Sequence, residues 1–373
     1  VFSGGGHTVK GEEQAPLDIE AARKAILKYA PRVAAFAVSG YFGVLNPTHE
    51  LRVKQLVRRL TGLPVTCGHE LTTQLDAPLR ALTVALNARL IPLLQQLILS
   101  VEKLLQEKGI QAPLMVVKGD GSLMEAAMAL ERPVETIMSG PAASAIGALY
   151  LHKMTEAFVI DMGGTTTDIA AVHDGRPVLN LKGARVGGWQ TMVEAVDIHT
   201  TGLGGDSEIH LDSSGKLRAG PRRVVPLSML ATTHPQVIDT LRGQLKGNTL
   251  SKSAGRFILH EQPLGTDGAR LSETQKAIWE ALGDGPVALT EIFNQFDMLE
   301  YFRHPLNDLI EHGLVAVSAF TPTDAVHVLG RYRSGSVEAA ELGAAIWARR
   351  LGMDKREFCE LVVKQVQVQA GHA

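Results

Sequence analysis

FVIDMGGTTTDIAAV, residues 158–172, sets an apolar strand, a Gly-Thr bend and a second apolar stretch in that order. The first strand ends at Asp161, and Gly163 and Gly164 follow. Then come Thr165, Thr166, Thr167 and Asp168. A phosphate loop of the P-loop or dinucleotide kind puts a helix after its glycines, so that the helix N-terminus meets the anion. Here the residues after the bend are β-branched and alternate towards a turn at Asp174-Gly175, which predicts a hairpin. Such a bend can hold an anion only through backbone N–H groups and threonine hydroxyls. Glycine lets the backbone approach closely, and successive N–H groups form an anion-binding hollow. Asp161 and Asp168 make sense beside phosphates if a hydrated Mg²⁺ lies between, because Mg²⁺ prefers carboxylate, water and phosphate oxygens.

The chain has 373 residues, a length that suggests about two to three domains. Its composition, 45% hydrophobic and 20% charged with a net charge of −2, offers no basic surface for nucleic acid or anionic lipid. Two cysteines, Cys67 and Cys359, exclude a disulfide scaffold or a cysteine-built zinc or iron–sulfur site, and fit a cytoplasmic location. The longest apolar run, 90–101, is too short to span a bilayer, and no signal peptide opens the chain, so no membrane is expected. The abrupt start at Val1 predicts a fragment or a processed product.

The periodicity predicts a helix over 17–30, a strand at 33–39, a helix over 47–61 and a strand at 64–66, a parallel α/β layer. A long helix is expected over 77–108, kinked or divided at Pro92. A strand at 114–117 precedes a helix starting at Ser122, with Glu125 completing a capping box. A further strand is expected at 134–138, then a small-residue helix from Pro141. The hairpin follows, with a third strand near 177–181, and 211–217 reads as a hairpin turn. After an irregular stretch, 271–320 reads helix, short strand, helix, helix, strand, which resembles a winged helix. Ser272 and Gln275 box its first helix, and its candidate recognition helix starts near Leu299. Helices near 337–351 and 354–369 end the chain. The division is therefore 1–110, an α/β segment with a long helix, the remnant of an N-terminal half; 111–220, carrying the hairpin; 221–270, an irregular connection; 271–320, the insert; and 321–373, a helical return to the core.

The bend resembles the phosphate loops of the actin, Hsp70 and sugar-kinase superfamily, written D-x-G-G-T-x-x-D. The flanking text is similar to one family within it, the hydantoinase A/5-oxoprolinase ATP-dependent amidohydrolases. The matching pieces are NPTHE (46–50), GHEL (68–71), LNARLIP (86–92), SGPAAS (139–144), DMGGTTTD, TGLGGDS (201–207) and TPTDAVHVLG (321–330). The resemblance implies an α/β, ribonuclease-H-like (actin-like ATPase) domain with a mixed sheet, carrying the small winged-helix-like α+β insert. It implies ATP and Mg²⁺, with Gly163, Gly164, Thr165, Thr166 and Thr167 on phosphate, and catalytic Asp161 and Asp168 holding Mg²⁺ through water. Gly202, Gly204, Gly205 and Asp324 are implied as further nucleotide contacts. The implied substrate is a small cyclic amide, the implied partner a hydantoinase B-type subunit, and the assembly a homo- or hetero-oligomer. By itself the second glycine cluster reads as a tight loop needing positive φ, and Asp324 as a helix cap. Asp206 stands where the family has glycine, and could repel phosphate or help hold a metal. D-x-G-G-T occurs once in this chain, so weak nucleotide binding and little turnover are expected.

Other readings rest on single features. Gly4 to His7, GGGH, lacks a preceding apolar strand ending in Asp and is rejected as a phosphate loop. The 13 histidines show no metalloprotease spacing, and His199, near the glycine cluster, reads as a surface or packing residue. A transcription regulator with a winged helix is disfavoured, because the candidate recognition helix carries Glu300, Asp308 and Glu311 against Arg303, whereas DNA affinity needs Lys or Arg on phosphate. A scaffolding or reactivating ATPase for a partner enzyme is the third reading.

Overall fold

A computed structural model describes residues 1, 3–186, 188–263, 271–295 and 303–372. The chain forms two compact units. The first is Val1–Ile160 with Ile169–Ile198, the second Asp161–Asp168 with His199–Ala373.

The first unit opens with a ladder of β1 (Gly6–His7) and β2 (Glu13–Ala15). Helix α1 (Ile19–Tyr29) starts at Asp18, whose carboxylate accepts the Ala21 N–H at 2.8 Å. Strand β3 (Phe36–Val38) pairs in parallel with β4 (Val65–Cys67) across α2 (Thr48–Thr61), as the periodicity predicts. Ala22, Ile26, Leu56, Val57 and Val65 form the core between them. The short α3 (Gly68–Leu71) leads to α4 (Ala77–Glu107), one helix that runs through Pro92 undivided. The hydrogen bond missing at one turn is outweighed by burial of Val84, Ala88, Ile91 and Ile98 on its inner face. By length and composition α4 could cross a membrane, the one such helix among the described residues.

Two local expectations fail. Residues 123–125 are a strand, β6 (Leu123–Glu125), paired with β5 (Met115–Val117), and α5 (Ala126–Glu131) starts later. Asp120 captures both the N–H and the hydroxyl of Ser122, at 2.9 and 2.6 Å, so Ser122 is spent in a turn and cannot cap a helix. The expected strand at 134–138 is a 3₁₀ turn, Pro133–Thr136, anchored where the Val134 N–H donates to the buried Asn87 side chain at 2.9 Å. Helix α6 (Ser139–His152) begins two residues before Pro141.

Strands β7 (Ala157–Met162), β8 (Thr167–His173) and β9 (Arg176–Pro177) follow. The short ladders of β10 (Leu179–Asn180) with β13 (Ala195–Val196), and of β11 (Arg185–Val186) with β12 (Trp189–Gln190), lead to β14 (Ile198–Thr201). The sheet order is β14-β8-β7, with β9 also on β8, so β7 is an edge strand among the described residues. Its alternate residues Phe158 and Ile160 are 77% and 62% exposed.

In the second unit β15 (Ser207–Leu211) and β16 (Leu217–Arg223) form the expected hairpin. After β17 (Val225–Pro226), α7 (Leu227–Thr233) and α8 (Gln236–Lys246) comes β18 (Phe257–His260). Then α9 (Glu273–Ala281), β19 (Val287–Ala288), α10 (Leu289–Gln295), α11 (Arg303–Glu311) and β20 (Val315–Ala319) appear in the expected order. The Ser272–Gln275 capping box is present on α9. Residues 299–302 of the expected recognition helix lie outside the described residues. The sheet runs β17-β20-β18-β19, so this module shares its sheet with two strands from before residue 271, β17 and β18. Ile258, Ile278, Leu282, Ile292, Leu309 and Val315 fill its core. A second core gathers Leu227, Leu230, Phe257, Phe320, Trp347 and Phe358 under α12 (Pro322–Val328), α13 (Val337–Leu351) and α14 (Lys355–Ala370).

The β1–β2 ladder carries a pH dependence. His7 is buried, its ring 4.2 Å from that of His49, and its Nε2 lies 3.3 Å from the Thr48 hydroxyl. Burial, then the nearby His49, lowers its pKa below the ordinary 6.5, and Glu13 opposes the shift. A depressed histidine pKa means the unfolded chain binds more protons between the two values. The ladder's stability is therefore complete above pH 6.5 and falls as pH drops through the folded value. Amide exchange at residues 6–15 is expected to speed up selectively on acidification. Equal acceleration across both units would contradict this.

Candidate functional site

No helix follows Gly164. β7 and β8 are hydrogen-bonded neighbours joined by residues 163–166. The Gly163 N–H closes the bend on the Thr166 carbonyl at 2.9 Å. The next three amides, of Gly164, Thr165 and Thr166, donate to no group among the described residues, and Thr165 is exposed. Three unpaired N–H groups in succession at a bend make an anion-binding hollow. The expected run of amides thus narrows to 164–166, since Gly163 is used internally.

The carbonyls of the same bend are held by the second glycine cluster. The Gly205 N–H donates to Gly163 O at 2.9 Å, and the Asp206 N–H to Gly164 O at 2.8 Å. A Cβ on Gly204 would lie 2.5 Å from the Gly164 carbonyl carbon and oxygen, and one on Gly164 would lie 2.5 Å from Asp206 Oδ2. Positive φ, expected from the glycine run 202–205, is absent there. The glycines are required for space, because two backbones touch. Thr323 extends the chain of contacts, its N–H and hydroxyl both reaching the Gly205 carbonyl at 2.9 and 2.8 Å.

The carboxylates take different places. Asp168 is half-buried and held by two hydroxyls, Thr200 Oγ1 at 2.6 Å and Thr166 Oγ1 at 3.4 Å. Asp161, half-buried, is the last residue but one of β7. Asp206 faces Arg223 at 3.4 Å, which offsets the charge that would repel phosphate. Among the described residues, none of these three belongs to a group offering three converging metal-ligand atoms. Carboxylate oxygens are the type of donor that Mg²⁺ takes, directly or through its waters.

Two expected nucleotide contacts are enclosed instead. Thr167 is fully buried and its hydroxyl donates to Leu203 O at 2.6 Å, tying the two loops together. Asp324 is fully buried as the third residue of α12. It accepts from Leu227 N (3.1 Å), Ser228 N (2.8 Å), Thr321 N (3.0 Å) and Thr321 Oγ1 (3.0 Å). Burial raises its pKa despite those donors. Gly202 is exposed beside Pro221, and His199 is exposed on β14. Thr200, Arg223 and Thr323 were not foreseen, since no local pattern distinguishes a threonine that orients a carboxylate across the fold.

In the first unit two sequence landmarks meet, and a third supplies the buried Asn87. Asn87 bonds Thr66 Oγ1 and Glu131 O at 3.1 and 3.0 Å. Arg80, fully buried, donates through both terminal nitrogens to the carbonyls of Gln74, Leu75, Gly40 and Tyr41. Glu50 of NPTHE meets His69 of GHEL.

The chain is a mixed α/β protein in which the bend at 163–166 is backed by the second glycine loop. Residues 1–61 match the profile described as the hydantoinase/oxoprolinase N-terminal region, and residues 80–232 that described as hydantoinase/oxoprolinase. Together they take in more than half of the chain, which belongs to the hydantoinase/oxoprolinase family. It is similar to caprolactamase subunit alpha of Pseudomonas jessenii, 34% identical over 57% of this chain and 31% of that protein. The acetophenone carboxylase gamma subunit of Aromatoleum aromaticum is 28% identical over 68% of this chain and 38% of its own length. The 5-oxoprolinase of Dictyostelium discoideum is 24% identical over 79% of this chain and 23% of its own. Two solved structures share the fold over 98% of this chain and 43% of theirs. They are nucleotide-free acetone carboxylase (TM-score 0.59, 17% identity) and the ATP-dependent caprolactamase of Pseudomonas jessenii (TM-score 0.56, 23% identity). The chain thus spans less than half the length of each.

Proposed function

We propose that the bend at 163–166 binds the terminal phosphates of ATP, and that the chain is the nucleotide-handling part of an ATP-dependent amidohydrolase acting on a cyclic amide. The observation that carries this is the run of unpaired amides at Gly164, Thr165 and Thr166, backed rigidly by the second glycine loop. A lactam carbonyl is a poor electrophile, and phosphorylating its oxygen makes the carbon open to water. The protein's share of such a transfer is positioning and charge stabilisation. Gly163, by its closed turn, shapes the hollow, while Gly164, Thr165 and Thr166 face the phosphate. Asp161 and Asp168 orient the waters of Mg²⁺, which when bound neutralises charge on the phosphate oxygens. We read the hairpin and its sheet as ribonuclease-H-like, supported by the order β14-β8-β7 with β9. We read α9 to β20 as a winged-helix-like module with a structural role, supported by its acidic helix α11 with Asp308 and Glu311. A hydantoinase B-type partner subunit, a hetero-oligomer and a cytoplasmic location complete the reading. Two relatives named as subunits support the partner.

Likeness to two carboxylases favours a second reading, in which the activated oxygen belongs to a ketone or bicarbonate. Titrating the chain with an ATP analogue tests what both share. Binding is expected to need Mg²⁺ and to weaken about tenfold or more in Asp168→Asn, the scale seen when a group orienting metal ligands is lost. Binding indifferent to both Mg²⁺ and that substitution would sink the site. Product analysis with 5-oxoproline or caprolactam, against bicarbonate plus a ketone, separates the two reactions.

A further inference from the structure

Glu50 and His69 come from two sequence landmarks that the nucleotide site does not use. Glu50 is 2% exposed. Its Oε1 accepts the Gly40 N–H at 2.6 Å. Its Oε2 accepts the His69 N–H at 3.0 Å and lies 2.5 Å from the His69 ring at Nδ1. The carboxylate is pinned by main chain on both oxygens, so it can orient an imidazole. The surroundings are built to keep it there. A Cβ on Gly43 would lie 2.2 Å from Glu50 Oε1, and one on Gly68 would lie 3.1 Å from both Glu50 Oε1 and Arg80 Nε. Arg80 in turn fixes the Gly40–Tyr41 carbonyls, and its Nε has no partner among the described residues.

His69 itself is not enclosed. Its side chain is 19% exposed, and its Nε2 makes no hydrogen bond among the described residues. A buried carboxylate on Nδ1 fixes the tautomer in which Nε2 carries a free lone pair, the arrangement that makes histidine a base or nucleophile. Cys67 lies beside the pair, but its buried thiol donates to Glu50 O at 3.6 Å and is pushed far above the ordinary thiol range by burial and by Glu70 and Glu50. The neighbourhood therefore favours acid–base chemistry over a thiolate nucleophile. Glu70 is occupied by Lys54 and by the Cys67 N–H, and leaves His69 to Glu50.

We propose that Glu50 and His69 form a proton-transfer dyad in the first unit, His69 being the base and Glu50 its positioning residue. Nε2 accepts the proton of a water or hydroxyl that reaches it, and the imidazolium so formed pairs with the Glu50 carboxylate.

Diethyl pyrocarbonate, which acylates unprotonated imidazole, tests the dyad without any turnover. With peptide mapping on the full chain, His69 is expected to react faster than the more exposed His152, and Glu50→Gln is expected to remove the excess. A His69 rate at or below that of His152, or one untouched by Glu50→Gln, overturns the dyad. The thermal midpoint of Glu50→Gln separates lost reactivity from lost fold.

Discussion

Gly204→Ala will unseat the phosphate bend. The added Cβ would sit 2.5 Å from the Gly164 carbonyl and 2.6 Å from Gly163 O, all main-chain atoms that cannot rotate aside. One loop must retreat, and with it go the bonds from Gly205 N to Gly163 O and from Asp206 N to Gly164 O. Overpacking typically costs about 1–3 kcal/mol, and the absence of any side chain to give way puts this case at the upper end. Binding should suffer more than stability, because the three amides are aimed only while the loop behind them holds. Nucleotide titration beside thermal unfolding will show it. A variant with a lowered melting point and intact affinity would mean the second loop does not set the first. Gly147→Ala, in a helix with open space at its Cβ, is the control.

Asp324→Ala is expected to be the most destabilising single change. It removes a carboxylate that four donors share, and strands the N–H groups of Leu227, Ser228 and Thr321 in a fully buried place. Each buried donor left unpaired costs about 1–3 kcal/mol, and three are stranded together here. Asp324→Asn keeps the shape but turns an amide NH₂ towards backbone donors, so it should recover only part of the loss. Denaturant unfolding followed by tryptophan fluorescence reads both, Trp347 lying in the same core. If Asp324→Ala instead leaves the midpoint unmoved and weakens nucleotide binding alone, the residue faces ligand after all.

The hairpin was legible because its evidence is local. Two glycines, three threonines and β-branched alternation within fifteen residues leave few backbones to choose from. The parallel pair β3–β4 and the Ser272 box were legible for the same reason. The Ser122 box failed because Asp120, two residues back, competes for the same hydroxyl. The turn at Pro133–Thr136 was hidden because its anchor, Asn87, lies 47 residues away from Val134. The same limit governs the site. Asp168 could be picked from its motif, but the Thr200 hydroxyl that aims it cannot, nor can the enclosure of Thr167 and Asp324, which depends on what folds over them.

The free margin of β7 bears on handling. One long side of that strand pairs with no other strand among the described residues, next to Phe158, Ile160 and a Met162 that is 43% exposed. A ribbon like this can be copied by any extended peptide that drifts alongside, including another molecule's own margin. Concentrated stocks should therefore cloud with time and with salt, and Ile160→Lys should keep them clear.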